Sequence, residues 1–310
     1  MKSPEVSVVM SVYNGAAALP STLQSVLDQQ GCDLEFIVVN DGSTDDSGRI
    51  LDEWAARDAR LRVIHQANTG LTRALMRGCA EARGDFIARQ DCGDVSLPGR
   101  LARQVELLKA EPNVVMVACG ASFIGPAGEI LNTVIFEGEN LHAGLALLHV
   151  DRVRGPPHHG GTMFSRTAYQ EVGGYRAPFV VAQDIDLWLR LAERGRCVGS
   201  GDVGYLASLE AGSISGRRRP EQYQLGTLAI ECAKLRRAGL SDQLVLDRHA
   251  ERPTAKRRRG PPTAGELARF YYFVGSCLRH TDPAAARGYF QMALRHKPVF
   301  WRALWRRLMG

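Results

Sequence analysis

Neither glycine-rich phosphate signature occurs in this chain. No Gly-x-Gly-x-x-Gly follows the first apolar strand, and no Gly-x-x-x-x-Gly-Lys-Ser/Thr is present, so neither Rossmann-type dinucleotide binding nor P-loop chemistry is signalled. No Ser/His/Asp arrangement is recognisable. The seven cysteines (Cys32, Cys79, Cys92, Cys119, Cys197, Cys232 and Cys277) are scattered and odd in number. That argues against a disulfide framework or a cysteine zinc site and for reduced thiols in a cytosolic protein. No apolar run approaches the length of a membrane-spanning helix. Met1-Lys2-Ser3-Pro4-Glu5 enters the first strand without a signal-peptide pattern. The expectation is a soluble cytoplasmic protein, at most peripheral at the inner face of the cell membrane.

What is there is ordinary globular material: 310 residues, 45% hydrophobic and 23% charged, enough for one large domain with an appendage. The net charge of +6 is uneven. Basic clusters lie at Arg217-Arg218-Arg219, at Lys256-Arg257-Arg258-Arg259 and in the last fifteen residues, whereas the first hundred residues are comparatively acidic.

Strand and helix patterns alternate along the first ninety residues. Strands are predicted at 6–12, 35–39, 61–65 and 85–88, with helices at 19–29, 44–57 and 69–82 between them. That order implies right-handed βαβ units and a largely parallel sheet. After a helix at 98–110 the reading is a strand at 114–119, a hairpin of 121–125 with 130–136, a strand at 162–165 and an amphipathic helix at 184–194. Beyond residue 215 the chain reads as mainly helical, with a polar, basic loop at 248–263 and a helical pair at 264–280 and 283–295.

The densest chemistry is Arg89-Gln90-Asp91-Cys92-Gly93-Asp94, a small acidic cluster at the end of an apolar strand. Open α/β sheets bind ligands at that carboxyl edge, and oxygen ligands there suit Mg2+ or Mn2+ bridging to a diphosphate. Asp91 and Asp94 can equally be a solvated turn and a helix cap. Asp41, just after the second strand, can contact a nucleobase or ribose, or merely adjoin a cap made by Ser43 or Thr44. Asp184 and Asp186 begin a helix, where the macrodipole favours acids; one of them can instead be a general base, with Trp188 lining the pocket. His158 and His159 sit in a Gly/Pro-rich loop in a substrate-facing position. A metal site built on the pair lacks identifiable further ligands, so the expectation is one packed and one exposed histidine.

Taken together, several segments resemble the family 2 glycosyltransferases with a GT-A fold. They are Val6-Ser7-Val8-Val9-Met10-Ser11-Val12-Tyr13-Asn14, Val38-Val39-Asn40-Asp41-Gly42-Ser43-Thr44-Asp45, Asn68-Thr69-Gly70-Leu71-Thr72-Arg73-Ala74 and Ala82 through Asp91. His159 through Phe164, Val172-Gly173-Gly174-Tyr175-Arg176 and Gln183 through Arg190 follow in the family's order. The resemblance covers roughly residues 5–216. It implies a nucleotide-half of about 1–97, an acceptor half of about 98–216, and a helical extension over 217–310. It also implies a nucleotide-diphosphate sugar donor (a UDP-sugar foremost), a glycan or lipid-linked acceptor hydroxyl, and inversion at the anomeric carbon. Ser11, Val12, Tyr13, Asp41, Asn68, Arg73 and Asp91 would bind the donor, Asp91 and Asp94 the metal, and His159 and Trp188 would line the acceptor pocket. Asp184 would be the catalytic base.

Three positions depart from the family's pattern. Gly93 stands where the second acid of Asp-x-Asp is usual, Met76 where an asparagine is common, and Gln183 where an acid precedes the base. The last removes a neighbouring charge and is expected to lower the base's pKa relative to a paired arrangement. The absence of a Gln-x-x-Arg-Trp motif argues against a processive synthase and for single-sugar transfer in cell-surface glycan or lipid-linked precursor synthesis. The terminal stretch 296–310 interleaves aromatic and basic residues. It is either a packed terminal helix or a contact with an anionic membrane. Nucleic acid is not expected, because the basic runs lack interleaved aromatics. Two alternatives stand beside the transferase: a sugar-nucleotide nucleotidylyltransferase, and a scaffold that binds the donor without turnover.

Overall fold

A computed structural model describes residues 3–149, 151–211, 219–250, 262–300 and 303. Most of the basic loop expected at 248–263, the basic cluster Arg217-Arg218, and nearly all of the terminal amphipathic stretch lie outside these residues.

The first unit comprises residues 1–121, 134–207 and 220–252. Its first half is a βαβ progression: β1 (Val6–Val12), α1 (Leu19–Leu27), β2 (Leu34–Asp41), α2 (Ser47–Ala55), β3 (Leu61–Gln66), α3 (Leu71–Ala80) and β4 (Phe86–Arg89). β5 (Val95–Ser96), α4 (Arg100–Ala110) and β6 (Val114–Ile124) follow. Next along the chain come β7 (Ile130–Val134), all but its last residue in the second unit, then β8 (Glu137–Gly138), α5 (Asn140–Ala146), a 3-10 turn (His159–Gly161), β9 (Thr162–Ser165), α6 (Arg166–Glu171), α7 (Gln183–Ala192) and β10 (Arg196–Ser208). Helices α8 (Arg219–Arg237) and α9 (Gln243–Ala250) close the series.

The strands run in the order β3-β2-β1-β4-β9-β6-β10-β5. β1 pairs in parallel with β2 and β4, and β2 with β3. β9 is antiparallel to both β4 and β6. The order reverses beside β1, which is the topological switch point where such sheets bind ligands. The acidic loop 90–94 leaves the sheet there.

The period-2 alternation of β1 explains why helices cover both faces. Val6, Val8, Met10 and Val12 pack with Leu19 and Leu23 of α1 and Leu101 and Val105 of α4. Val9 points the other way, to Leu75 of α3 and Leu187 of α7. These side chains are almost wholly buried, each contributing on the order of 2 kcal/mol of transfer free energy.

Some boundaries differ from the sequence reading. The helix expected at 44–57 begins at Ser47 with no side-chain cap. Ser43 instead accepts the Asn14 N–H, and Asn14 Oδ1 in turn accepts the Thr44 N–H, tying together the loops after β1 and β2. The strands expected at 114–119 and 121–125 form one continuous β6. β10 was not anticipated, because Gly199, Gly201 and Gly204 interrupt its apolar pattern.

The second unit comprises residues 122–133, 208–219 and 253–310. Its main feature is a helical pair, α10 (Ala264–Leu278) and α11 (Pro283–His296). Thr263 and Glu266 form a capping box on α10, and Asp282 caps α11 with Pro283 at its first position. Val274, Leu278, Ala286, Tyr289 and Phe290 form their shared core.

Candidate active site

The acidic loop is built to hold its shape. Gly93 adopts φ 99°, a conformation that a β-carbon disfavours. An aspartate at this position would be strained, and the turn brings Asp94 back toward Asp91 instead. Thr22 of α1 clamps the turn, its hydroxyl accepting the Gly93 N–H at 3.0 Å and donating to the Asp94 carbonyl at 2.9 Å. Gln90 also donates to that carbonyl at 3.0 Å. Below the loop, the fully buried Arg100 donates to the Arg89 carbonyl at 2.7 Å, to Ser96 Oγ at 2.6 Å and to Gln90 Oε1 at 3.1 Å.

Asp91, Asp94 and His158 converge, their candidate ligand atoms all lying within 4.8 Å of one another. His158 Nδ1 lies 3.6 Å from Asp94 Oδ2 and 3.9 Å from Asp91 Oδ2. The other Asp91 oxygen, Oδ1, accepts a 2.7 Å bond from Arg89 Nη2. Burial works to raise the Asp91 carboxyl, but the Arg89 guanidinium beside it outweighs that and holds the group below its ordinary value. Burial, together with Arg89 and Arg100, pushes His158 below its ordinary pKa against the pull of Asp91. Two carboxylates beside an imidazole are a donor set that suits Mn2+ or Mg2+, once His158 Nδ1 gives up the Gly160 N–H that it accepts at 3.1 Å. Sequence reasoning weighed His158 for a metal site and set it aside for want of further ligands. Its partners lie far upstream in the chain, and only the pairing of β9 with β4 brings the two loops together.

His159 is buried, and its Nε2 accepts from Arg89 Nε at 3.3 Å and from Tyr175 Oη at 2.7 Å. A guanidinium only donates, so His159 carries its proton on Nδ1. Burial and Arg89 hold its pKa well below the ordinary value. Trp188 packs edge-on against His159 at 6.0 Å and is 5% exposed. Both residues therefore back the site from within the core.

Asp184 lies in the first turn of α7, just after Ala182, whose φ of 56° is left-handed. Burial raises its carboxyl above the ordinary value; Asp91 adds to the rise, while the Ile185 N–H and Arg89 oppose it. Burial dominates this shift, so the charge missing at Gln183 does not leave the carboxyl depressed. Asp186 is different. It is fully buried and ion-paired to Arg176 and, at 2.6 Å, to Arg190. Of the two acids, Asp186 is taken up by its arginines, whereas Asp184 is half-buried and accepts the Ile185 N–H at 2.9 Å.

Around the switch point, Asp41 is 2% exposed and its carboxylate accepts four hydrogen bonds: from Gln66 Nε2, Thr69 N and Gly70 N at 2.8 Å and from Thr69 Oγ1 at 3.1 Å. Asn68 Nδ2 donates to the Asp41 carbonyl at 2.8 Å. These bonds pin the loop 66–70 ahead of α3, so Asp41 is not the free carboxylate that a cap elsewhere would have left. Ser11 and Val12 end β1; Val12 turns its side chain into the core, whereas Tyr13 is 50% exposed. Arg73 is exposed on the first turns of α3.

A family model described as "Glycosyl transferase family 2" matches residues 7–173. A putative glycosyltransferase of Bacillus subtilis, EpsE, is 33% identical over 201 residues, covering 62% of this chain and 68% of that protein. The chondroitin synthase of Escherichia coli is 28% identical over 196 residues, covering 62% of this chain but 27% of the synthase. Among solved structures, S. aureus TarS 1-349 in complex with UDP matches 98% of this chain and 88% of that one, with a TM-score of 0.58 at 15% identity. The mannosyltransferase PcManGT from Pyrobaculum calidifontis, in complex with GDP-Man and Mn2+, matches 100% and 88% with a TM-score of 0.54 at 18% identity. Those likenesses establish the fold as GT-A. With the match over residues 7–173 and the relationship to EpsE, they show that the chain belongs to glycosyltransferase family 2.

Proposed function

We propose that the protein transfers one sugar from a nucleotide-diphosphate sugar, a UDP-sugar foremost, to a hydroxyl of a glycan or lipid-linked acceptor, with inversion. The observation that carries this reading is the convergence of Asp91, Asp94 and His158 beside the switch point of the sheet. The Asp184 carboxyl, raised by burial and further by Asp91, is the proton acceptor in this reading. TarS was crystallised with UDP and with UDP-GlcNAc, and PcManGT with GDP-Man and Mn2+; each supports a nucleotide-sugar donor.

In this reading Asp91, Asp94 and His158 hold a divalent cation. When bound, the cation offsets the charge that gathers on the departing diphosphate. Arg89 keeps Asp91 ionised and oriented by occupying Oδ1, leaving Oδ2 toward His158. Ser11, the Val12 backbone and Tyr13 border the nucleotide, and the loop pinned by Asp41 and Asn68 presents Arg73 to the donor. His159 and Trp188 support the wall of the acceptor pocket. Asp184 takes the acceptor's proton as its oxygen attacks the anomeric carbon, a general-base contribution of about 10²–10⁴-fold.

No helix among the described residues is long and apolar enough to cross a membrane. Action in the cytoplasm, with peripheral contact at the inner membrane face through 296–310, is part of the proposal. Membership of family 2 displaces the nucleotidylyltransferase alternative. The donor-binding scaffold is separated from the enzyme by turnover. Asp184→Asn should lower transfer by at least ~10²-fold while UDP affinity stays within about twofold of wild type. Unchanged transfer by the variant rules out Asp184 as the base.

A further inference from the structure

The proposed metal-binding residues arrive on two separate loops, and one side chain touches both. Tyr205 of β10 is fully buried. Its Oη accepts the backbone N–H of Asp91 at 3.0 Å. Its ring stacks on His158, with centroids 5.2 Å apart and planes at 22°. Arg100, which grips the acidic loop from below, also sits over this ring, 5.2 Å from the centroid.

The rear of the loop is fastened to the same residue. Tyr205 pairs with Ser96 in the β10–β5 ladder, and the Leu97 N–H donates to the Gly204 carbonyl at 2.9 Å. The segment from Asp91 to Ser96 is therefore clipped at its start by the phenol and at its end by the backbone of Tyr205 and its neighbour. The contact also dictates the sequence of the histidine loop. A β-carbon on Gly160 would come within 1.9 Å of Tyr205 Oη, so only glycine lets the phenol reach Asp91. The Gly160 N–H in turn donates to His158 Nδ1 at 3.1 Å, which orients that imidazole.

We propose that Tyr205 is a positioning residue that sets the distance between the Asp91/Asp94 loop and His158, and through it the affinity of the site for a divalent cation. This rests on the metal reading above. Groups that orient ligands from behind are worth about 10–100-fold in metal affinity. Tyr205, whose phenol oxygen holds the acidic loop and whose ring supports His158, belongs to that class.

The test is Tyr205→Phe, which keeps the stacked ring and removes only the oxygen. Mn2+ alone is titrated into wild type and variant, with the free ion followed by paramagnetic resonance, and transfer is then measured across Mn2+ concentrations. The expected result is Mn2+ affinity weaker by roughly tenfold, with kcat restored by excess Mn2+ and the UDP-sugar KM at saturating metal near the wild-type value. Wild-type Mn2+ affinity in Tyr205→Phe overturns the proposal while leaving the metal reading intact. Lost activity that excess Mn2+ does not restore also overturns it, because the residue is then merely structural. No Mn2+ binding by wild type overturns the metal reading and this one together. Should Tyr205→Phe fail to fold, Gly160→Ala displaces the phenol from the other side and must give the same metal-restorable loss; its absence overturns the proposal.

Discussion

Asp184 and Asp186 stand two residues apart on one helix and do opposite things. Asp186 is fully buried between two arginines; Asp184 accepts backbone N–H groups and has a raised carboxyl. The sequence marked the pair but not the difference, because Arg176 and Arg190 choose between them only in three dimensions. A carboxyl whose folded pKa is raised above its unfolded value favours folding below the unfolded pKa and opposes it once ionised at neutral pH. Asp184→Asn should therefore raise the melting temperature at pH 7, an advantage that disappears in acid, while abolishing transfer. Calorimetric melts at pH 7 and pH 4 check both signs, and a lower melting temperature at pH 7 would contradict them. The same raised pKa places the acidic limb of kcat/KM above the range of an ordinary carboxylate, since activity falls as the base becomes protonated. A pH–rate profile that stays flat down to the ordinary carboxylate range counts against Asp184 as base. His158 was considered but lacked visible partners in the sequence. Gly93 looked like a lost acid; its positive φ marks a turn after which Asp94 lies close to Asp91.

At the level of elements, the parallel half was legible because continuous apolar strands and 3.6-residue helical stripes repeat without interruption. β10 was not, since glycines at Gly199, Gly201 and Gly204 dilute its pattern, and with it Tyr205 went unseen. α7 is also anchored in a way that periodicity does not reveal. Asp186 binds Arg176 and Arg190; Arg176 and Arg236 share Asp242, just before α9; and Arg236 of α8 holds Glu193 at 2.7 Å. This network fixes the helix that carries Asp184. Asp186→Ala leaves buried arginines without their carboxylate and should cost about 3–5 kcal/mol, read from the urea midpoint. A change below ~1 kcal/mol would show that the network contributes no more than a surface pair.

In the molecule as a whole, the carboxyl edge of a parallel half-sheet meets an antiparallel half that contributes His158, Tyr205 and Asp184. The ordered motifs were enough to anticipate the GT-A fold. The convergence of Asp91, Asp94 and His158 required the structure, because it depends on strand pairing across the switch point. The most direct test is calorimetric titration of UDP and GDP with and without Mn2+, on wild type, Asp91→Asn and His158→Ala. One nucleotide should bind far more tightly when Mn2+ is present, and each substitution should remove the metal's effect. Nucleotide binding that is indifferent to Mn2+ and to both substitutions, or no nucleotide binding at all, would contradict this.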